Sequence, residues 1–310
     1  MSAVSNEDFL DLLTKSIAMT DLSVERTKAG ALTPASGTGS SAALPAGDSA
    51  DSSTLPDLSV QREVLETLLF SCLMQGMADH RVMAISHLLG WPDDFSCFAI
   101  GGSLASSFKH SSRIMRQAVR NLGGEHCLVG RWQGSCLLLV LKHRAATPSV
   151  TCTAALEAFD PQAPVCLGGL RQGLEGAVTA LGEVVSSLAA APAIEGHIQM
   201  RPLLADDLLP ERALMGDQLA RQALYEEVYR SLLSSNPDDP TLMTVKTFLD
   251  SGSSLDTAAR ELQVHVNTVR YRLKRAADTT GWDATDPRDA FVLQTAIAIG
   301  RMMDARPGKA

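Results

Sequence analysis

The stretch LDTAARELQVHVNTVRYRLKRAA, residues 255–277, predicts two short helices joined by a tight turn. The first helix is predicted over Asp256–Gln263, with Asp256 as the N-cap, because its carboxylate can accept hydrogen bonds from the free N–H groups of the first turn. Asn267 is the predicted N-cap of the second helix for the same reason. Small or apolar residues recur at helical spacing on the predicted inner faces: Ala258, Ala259, Leu262, Val264, Val269, Leu273 and Ala276. We therefore expect the two helices to pack closely through these residues.

The outer face of this helix pair carries cations and hydrogen-bonding side chains. Arg and Asn can form two hydrogen bonds with a base edge, and Lys and Arg can hold phosphates. The pattern is typical of a helix-turn-helix that enters the major groove of DNA. The residues expected to contact double-stranded DNA are Thr257, Arg260, His265, Asn267, Thr268, Arg270, Tyr271, Arg272, Lys274 and Arg275. Asn267, Thr268, Arg270 and Tyr271 are predicted to lie nearest the bases, and the cations after them to hold phosphates.

An ordinary helical hairpin with a solvated basic face is the alternative interpretation. The pair Ala258–Ala259, the inward Val264 and the capped second helix all fall at helix-turn-helix spacing, which favours DNA binding. Gln263 departs from the common pattern, in which Gly adopts the left-handed conformation that ends the first helix. A residue other than Gly costs about 1 kcal/mol there, which a folded domain can tolerate.

The overall composition limits where nucleic acid could bind. The chain has 310 residues, and its 27 Lys and Arg against 35 Asp and Glu give a formal net charge of −8. An acidic chain is not a general coat protein for nucleic acid, so DNA contacts must come from a local patch. With 45% hydrophobic residues, the chain is expected to bury enough apolar surface for two domains.

The cysteines and the N-terminus bear on the cellular compartment. The sequence contains six cysteines and no CxxC pair, and several of the cysteines lie in apolar runs. The six are Cys72, Cys97, Cys127, Cys136, Cys152 and Cys166. Buried free thiols in a reducing cytoplasm are therefore expected. Glu7 and Asp8 stand where a signal peptide would carry cations, and no apolar run approaches about 18 residues. A cytoplasmic protein without a membrane anchor is predicted.

Residues 1–57 are predicted to form a short helix followed by a linker. Asn6–Met19 places Leu10, Leu13 and Ile17 on one stripe of an amphipathic helix. Residues 28–56 consist largely of Ala, Ser, Gly, Thr and Pro, which predicts a disordered linker. A docking segment for a partner is the alternative, but this stretch contains no aromatic anchor.

Residues 58–207 are predicted to form an α/β domain. Two helices, Ser59–Gln75 and Asp79–Leu89, come first. Strands and helices then follow in the order β-α-β-β-α-β-α-β: Phe95–Gly101, Ser111–Asn121, His126–Gly130, Ser135–Leu141, Val150–Phe159, Ala163–Gly168, Leu174–Ala190 and His197–Leu203. This order is typical of a ferredoxin-like or nucleotide-cyclase-like α/β sandwich.

Residues 208–310 are predicted to be helical, so the expected fold class of the whole chain is α+β. Helices are predicted over Gln218–Ser234, Thr241–Asp250 and Arg288–Met303, the last two flanking the helix-turn-helix of residues 255–277. Trp282 follows the second motif helix and is predicted to be a wedge between helices, with a DNA contact as the alternative.

The run HVNTVRYRL, followed by GW at Gly281–Trp282 and by DPRDAF at residues 286–291, resembles the C-terminal DNA-binding domain of PucR/CdaR-type bacterial transcription regulators. The resemblance covers Tyr225–Met303 and implies a Fis-like helix-turn-helix. The segment ADDLLPERALMGD, Ala205–Asp217, resembles an actinobacterial branch found beside fatty-acid or mycolic-acid synthesis genes. The resemblance implies a regulator of lipid biosynthesis genes that responds to an acyl-CoA or acyl-carrier-protein effector. Binding of an inverted-repeat operator by a homodimer or higher homo-oligomer is expected.

The domain ahead of the helix-turn-helix in this family resembles a GGDEF diguanylate cyclase fold. An active cyclase needs acidic residues and glycines at the hairpin between the second and third strands, to hold Mg²⁺ and phosphates. Here the hairpin reads GRWQGS, Gly130–Ser135, without a carboxylate. We therefore expect no enzymatic activity and no cofactor, and a domain kept for dimerisation or sensing. A nucleotide-cyclase-like enzyme and a regulator of another pathway are the alternatives.

Other candidate sites in the sequence are weaker. The GGS run at Gly101–Ser103 could cradle a phosphate, but a plain turn is predicted. His80 and His87 lie seven residues apart without a third ligand nearby, and His126–Cys127 is an isolated pair. Surface or core roles are therefore predicted for these side chains, and no metal site is expected.

Overall fold

The computed structural model describes residues 58–194, 200–233 and 239–305. The predicted helix at Asn6–Met19 and the predicted linker at residues 28–56 lie outside these residues. The first part of the predicted strand His197–Leu203 also lies outside them.

The N-terminal part of the described chain forms a sheet with helices on both faces. Its elements are α1 (Leu58–Met74), α2 (His80–Leu88), β1 (Ser96–Gly102), α3 (Phe108–Asn121), β2 (Cys127–Trp132), β3 (Ser135–Leu141), α4 (Pro148–Ala155), β4 (Val165–Leu167), β5 (Arg171–Gln172), α5 (Gly173–Ala190) and β6 (Leu203–Leu204). Short 3₁₀ turns follow α4 and α5.

The sheet has the strand order β2-β3-β1-β4-β6, and β5 pairs with β1. β1 is antiparallel to both β3 and β4, whereas β6 is parallel to β4. The β1-α3-β2 unit leaves room for β3 between its two strands, and the β3-α4-β4 unit leaves room for β1, whereas β4 and β6 are direct neighbours. The predicted α+β class, with a sheet domain ahead of a helical domain, is confirmed. The two-residue strand β5 is an addition that the sequence pattern did not predict.

Residues along β1 alternate between two apolar clusters, one on each face of the sheet. Cys97 and Ala99 belong to the cluster formed with α1, α2 and α5, whereas Phe98 and Ile100 belong to the cluster formed with α3 and α4. Both sets are buried because helices cover both faces. Burial on both faces explains why β1 and β3 are apolar throughout instead of alternating with polar residues.

Gly101 and Gly102 lie within β1, so the prediction of a turn at Gly101–Ser103 is wrong. A Cβ atom on Gly101 would lie 2.5 Å from Cγ1 of Val184 on α5 and 2.6 Å from Cδ2 of Leu137 on β3. A Cβ atom on Gly102 would lie 3.0 Å from the ring of Phe159. Close packing against the covering elements therefore accounts for both glycines.

The C-terminal part of the described chain is helical. Its elements are α6 (Leu209–Leu214), α7 (Gln218–Ala223), a π-helical segment (Leu224–Tyr229), α8 (Arg230–Leu232), α9 (Thr241–Asp250), α10 (Leu255–Glu261), α11 (Val266–Thr280) and α12 (Pro287–Asp304). The segments α7, the π-helical segment and α8 follow one another without a break. Leu208 belongs to the cluster under the sheet, and Leu209 opens the cluster of the helical part.

Among the described residues, one helix is long and apolar enough to cross a membrane. It spans Gly173–Ala193, which is α5 with its 3₁₀ extension, and 56% of an apolar 18-residue stretch within it is buried. Leu174, Ala177, Leu181 and Val184 of this helix pack into the cluster under the sheet. Its place in the core accounts for its apolar composition.

Candidate nucleic-acid interface

The predicted helix-turn-helix is present as α10 and α11, but α10 has a different N-cap from the one predicted. The hydroxyl of Ser254 accepts a hydrogen bond from the backbone N–H of Thr257 at 3.3 Å. Asp256 lies in the first turn instead, where its carboxylate still suits the positive end of the helix dipole. The prediction of Asp256 as the cap is wrong because Ser254 and Asp256 are both favourable capping types two residues apart.

The turn between the helices depends on Gln263. This residue has a φ of 54°, the left-handed conformation that the sequence pattern predicts at the end of the first helix. The backbone N–H of Val264 donates to the carbonyl oxygen of Ala259 at 3.0 Å, which closes the helix in a Schellman-type arrangement. Val264 then packs, half-buried, against the helical cluster, as predicted.

His265 is the N-cap of α11, so the prediction of Asn267 as the cap is wrong. Nδ1 of His265 accepts a hydrogen bond from the backbone N–H of Asn267 at 3.1 Å. A neutral imidazole that accepts at Nδ1 carries its proton at Nε2, which leaves that nitrogen as a donor. The Asn267 side chain is also free of the capping role, and its Oδ1 accepts a hydrogen bond from Nη1 of Arg270 at 2.9 Å.

The two faces of α11 differ sharply. Val269, Leu273 and Ala276 are buried in the helical cluster, as predicted. The opposite side presents the exposed side chains of Asn267, Arg270, Tyr271, Lys274 and Arg275. Tyr271 is 68% exposed although it is aromatic. An amide, three cations and an aromatic ring on one exposed helix face form a surface of the type that enters a DNA groove.

Two of the predicted phosphate contacts are engaged within the chain. Nη2 of Arg275 lies 2.8 Å from Oδ2 of Asp239, although the arginine side chain remains 52% exposed. Nη1 of Arg272 donates to Oγ1 of Thr244 on α9 at 3.3 Å. Within residues 239–305, Lys274 forms no ion pair. Among the cations of this face, Lys274 is therefore the one for which the described residues show no side-chain contact that DNA binding would break.

The first motif helix adds a second edge to this surface. Nη2 of Arg260 donates to Oγ1 of Thr257 at 3.2 Å, and its Nε donates to the carbonyl oxygen of Asp256 at 3.3 Å. A shallow groove runs beside the turn and is lined by Asp256, Ala259, Arg260, Gln263, Val264, His265 and Val266. Arg260 and His265 thus share one groove. Thr268 is half-buried at the start of α11.

Trp282 and two tyrosines contact the helices around the helix-turn-helix. Trp282 is half-buried against the helical cluster, in keeping with the predicted wedge. Tyr225 and Tyr229 stack with ring centroids 5.8 Å apart, and both hydroxyls donate to the carboxylate of Asp304, at 2.9 and 2.8 Å. The sequence predictions did not include this arrangement. The four-residue spacing of the tyrosines in YEEVY is the sequence feature that could have predicted their stacking.

The β2–β3 hairpin contains the segment GRWQGS, which was expected to lack catalytic acidic residues. Gln133, with a φ of 47°, and Gly134, with a φ of 87°, form its two-residue turn. Trp132 and Ser135 close the turn as the last strand pair. Among the described residues, no group of three or more His, Cys, Asp or Glu side chains could hold a metal ion. His87 pairs with Asp93, whose Oδ1 lies 2.6 Å from its Nε2.

A pocket of about 450 Å³ lies at the other end of the same hairpin. It is lined by Gly90, Pro92, Asp94, Phe95, Ser96, Glu125, His126, Leu141, Lys142 and His143. Nδ1 of His126 is buried without a hydrogen-bond partner. The sequence predictions treated His126 only as a poor metal ligand and did not place it in a pocket.

Comparisons with known proteins match both parts of the chain to family models. Residues 241–299 match the PucR C-terminal helix-turn-helix domain, and residues 75–190 match the GGDEF-like domain. Relatives of uncharacterised function from Mycobacterium bovis and Mycobacterium tuberculosis are 32% identical over 245 residues, which is 77% of this chain and 58% of theirs. The chain therefore spans less than two thirds of the length of these relatives.

Two further similarities concern proteins with a described role. The purine catabolism regulatory protein of Bacillus subtilis is 29% identical over 80 residues, which is 26% of this chain and 15% of that protein. The crystal structure of the regulator of polyketide synthase expression from Bifidobacterium adolescentis superimposes with a TM-score of 0.75 and 54% sequence identity. The match covers 81% of this chain and 96% of that chain.

Proposed function

The chain belongs to the same family as the regulator of polyketide synthase expression from Bifidobacterium adolescentis, and on that basis we propose that it is a cytoplasmic, sequence-specific DNA-binding transcription regulator. The observation that carries the proposal is the exposed face of α11, which presents Asn267, Arg270, Tyr271 and Lys274 opposite a buried face. Because the whole chain has a formal net charge of −8, this local cationic surface is what could attract a phosphate backbone.

In the proposed complex, α11 lies in the major groove. Asn267 and Arg270 start out hydrogen-bonded to each other, so each can turn to a base edge at the cost of one exposed hydrogen bond. One module of this size makes few contacts and binds weakly, so a homodimer or higher homo-oligomer is proposed. Two motifs about 34 Å apart along the DNA would read an inverted repeat.

Two substitutions test this assignment. Arg270→Ala should cost ~1–3 kcal/mol of binding free energy and relax the sequence preference, because a base contact is lost. Lys274→Ala should weaken binding to every sequence and reduce the slope of log K against log salt by about one, because a phosphate contact is lost. Gel-shift titrations at several salt concentrations, on an operator selected from random DNA, would measure both effects.

Arg113→Ala is the matched control, since Arg113 is an exposed arginine on α3 in the sheet domain. It should bind the operator like the wild type. If Arg270→Ala and Lys274→Ala also bind like the wild type, the assigned surface is wrong. If the wild type selects no DNA sequence, the proposed function is wrong.

We further propose that the GGDEF-like domain turns over no nucleotide. The support is chemical, since the hairpin turn carries Gln133 and Gly134 where a cyclase needs acidic side chains to hold Mg²⁺. Incubation with GTP or ATP and Mg²⁺, followed by chromatography, should show no product. Any turnover above a buffer blank would favour the alternative of a cyclase-like enzyme.

The proposed target genes serve lipid biosynthesis, in particular fatty-acid synthesis. The support is the relative named for polyketide synthase expression, because polyketide and fatty-acid synthesis both join acyl thioesters. The alternative is another metabolic pathway, as the relative named for purine catabolism indicates. Mapping the genomic binding sites of the protein would decide between them through the genes that lie beside those sites.

An acyl-CoA or acyl-carrier-protein effector is the proposed signal. Long-chain acyl-CoA should release heat on binding and change the operator affinity. The pocket lined by His126 and Lys142 is the proposed binding site. Substituting either residue should weaken the binding of an effector at this site. Calorimetry without heat, together with unchanged DNA binding, would remove the effector from the proposal.

A further inference from the structure

The segment Ala205–Asp217 lies between the two apolar clusters instead of acting as a flexible connection. Leu208 is 1% exposed in the cluster under the sheet, and Leu209 is 6% exposed in the helical cluster. Consecutive residues therefore belong to different cores. No free chain separates the sheet domain from the helices that carry α10 and α11.

Arg212, in the middle of this segment, is a buried arginine whose guanidinium is hydrogen-bonded to other groups of the chain. It is 1% exposed. Its Nη1 donates to the carbonyl oxygen of Ala205 at 2.9 Å, and its Nε and Nη2 donate to Oδ2 of Asp217 at 3.0 and 2.8 Å. Oδ1 of Asp217 accepts from the backbone N–H groups of Leu219 and Ala220, so the same carboxylate also caps α7.

Ser186 connects this ion pair to the sheet domain. It lies on α5, and its Oγ is 2.6 Å from Oδ2 of Asp217. Oγ of Ser186 also accepts a hydrogen bond from Nε of Arg212 at 3.1 Å. Ser186 also lies 3.0 Å from the carbonyl oxygen of Gly182 in its own helix, but a hydroxyl has one proton and the carboxylate is the closer and stronger acceptor. This bond ties α5 to the start of α7.

Arg288 makes the second connection, from the first turn of α12. Its Nη2 donates to Oε2 of Glu211 at 2.7 Å, and its guanidinium also donates to Oε1 of Glu211 and to the carbonyl oxygen of Asp207. The Glu211 side chain is 8% exposed. Neighbouring residues of α6 thus contact different elements, since Arg212 contacts Ser186 of α5 and Glu211 contacts Arg288 of α12.

These five residues, Ser186, Glu211, Arg212, Asp217 and Arg288, are called the interdomain clasp below. Ion pairs buried to this degree lose hydration and add little net stability, but they favour one geometry over others. Burial would raise the pKa of Asp217, but the hydrogen bonds from Ser186 and Arg212 lower it below its usual value of 3.8. The Asp217 carboxylate is therefore charged near neutral pH.

We infer that the clasp residues are positioning residues for DNA recognition, which fix the direction of α11 relative to the GGDEF-like domain and so select operators by the spacing of their half-sites. The inference rests on the proposed function of a dimeric DNA-binding regulator. A dimer gains from two half-sites only when both motifs can engage at once. A rigid connection allows one spacing, whereas a loose connection tolerates several.

The test uses Ser186→Ala in the full chain, with Ser187→Ala as its matched control. Ser187 is the next residue on α5, and its hydroxyl donates to the carbonyl oxygen of Glu183 in its own helix. Operators would be selected with the wild type, and the spacer would then be lengthened by about five base pairs, half a turn of DNA. Affinities for both operators and for a single half-site would be measured by gel shift.

The wild type and Ser187→Ala should lose about tenfold or more in affinity on the lengthened operator, because one half-site is no longer engaged. Ser186→Ala should lose much less, while its half-site affinity stays unchanged. A loss of stability alone would lower all affinities together and would not change the spacing preference. Arg212→Lys is the second variant, since an ammonium cannot bridge Ala205, Ser186 and Asp217 as the guanidinium fork does.

Several results would overturn the inference. One is a wild type that binds both spacings equally well, and another is a Ser186→Ala protein that discriminates as strongly as the wild type. A wild type that selects no DNA would instead overturn the proposed function. Hydrogen exchange at Leu219 and Ala220 then tests the clasp alone, and it should be faster in Ser186→Ala than in Ser187→Ala.

Discussion

The ionisation of the Tyr229 side chain depends on its surroundings in the folded protein. It is 5% exposed, and its hydroxyl donates to Oδ2 of Asp304 at 2.8 Å. Burial, together with this bond to a carboxylate, raises the pKa of Tyr229 to about 12. The ionised phenolate is therefore disfavoured in the folded protein.

This pKa predicts how stability depends on pH in alkaline solution. Since the folded pKa is raised above the usual 10.0, the contribution of Tyr229 is complete below pH 10 and is lost as the pH rises through about 12. Over this range, the free energy of unfolding should fall more steeply for the wild type than for Tyr229→Phe. Urea titrations at several pH values would measure the free energy of unfolding of each protein. Equal slopes would contradict the prediction, and Tyr271→Phe, at an exposed tyrosine, is the control.

At the scale of single elements, the start of α10 distinguishes two capping residues. The structure assigns the cap to Ser254, whose hydroxyl accepts from the N–H of Thr257. Ser254→Ala should therefore lower the free energy of unfolding by about 0.5–2 kcal/mol. Asp256→Ala should have a smaller effect, because Asp256 contributes through the helix dipole alone. Thermal unfolding of the two variants would measure the difference, and a larger loss for Asp256→Ala would restore the sequence-based assignment.

Two glycines inside helices predict opposite effects of the same substitution. A Cβ atom on Gly300 of α12 would overlap the ring of Tyr229, whereas a Cβ atom on Gly182 of α5 would meet nothing within 4 Å. Gly300→Ala should destabilise the protein by about 1–3 kcal/mol through overpacking. Gly182→Ala should stabilise it by about 0.5–1 kcal/mol, because Ala loses less backbone freedom than Gly. Denaturant midpoints that move in the same direction would contradict this account.

At the scale of the whole molecule, the cysteines report on the integrity of the sheet domain. All six are free, and all except the half-buried Cys127 are buried. Burial raises the pKa of Cys97 and Cys136 to about 12, and that of Cys72, with a further contribution from Asp79, to about 11. The thiolate is the reactive form of cysteine, so both the raised pKa and the burial of these thiols protect them from reaction.

Thiol labelling of the native protein at pH 8 should therefore be slow and should begin at Cys127. All six thiols should react at once in denaturant. The absorbance released by a disulfide reagent measures both rates. Rapid labelling of six thiols in the native protein would show that the sheet domain opens readily in solution.

Much of the helical part was predictable because helix periodicity is a local property. The spacing of Val269, Leu273 and Ala276 defines the buried face of α11 wherever that helix packs, and the bounds of Thr241–Asp250 were predicted as observed. The left-handed Gln263 was predictable for the same reason, since a turn of this length requires it. The proposed DNA contacts on the opposite face remain predictions.

Other features could not be predicted from the sequence pattern. The caps at Ser254 and His265 were not predicted, because neighbouring residues of suitable chemistry compete and packing selects among them. Gly101 was predicted to begin a turn, whereas it lies in β1 in close contact with α5 and β3.

The helix-turn-helix, the order of strands and helices apart from β5, and a hairpin without acidic side chains could be predicted from the sequence, because each depends on residues close together along the chain. How the two parts are joined is visible only in the folded structure. Ser186 and Asp217 are 31 residues apart, and Glu211 and Arg288 are 77 apart. No local pattern pairs them, because contacts over such sequence separations depend on how the two cores around Leu208 and Leu209 pack against each other.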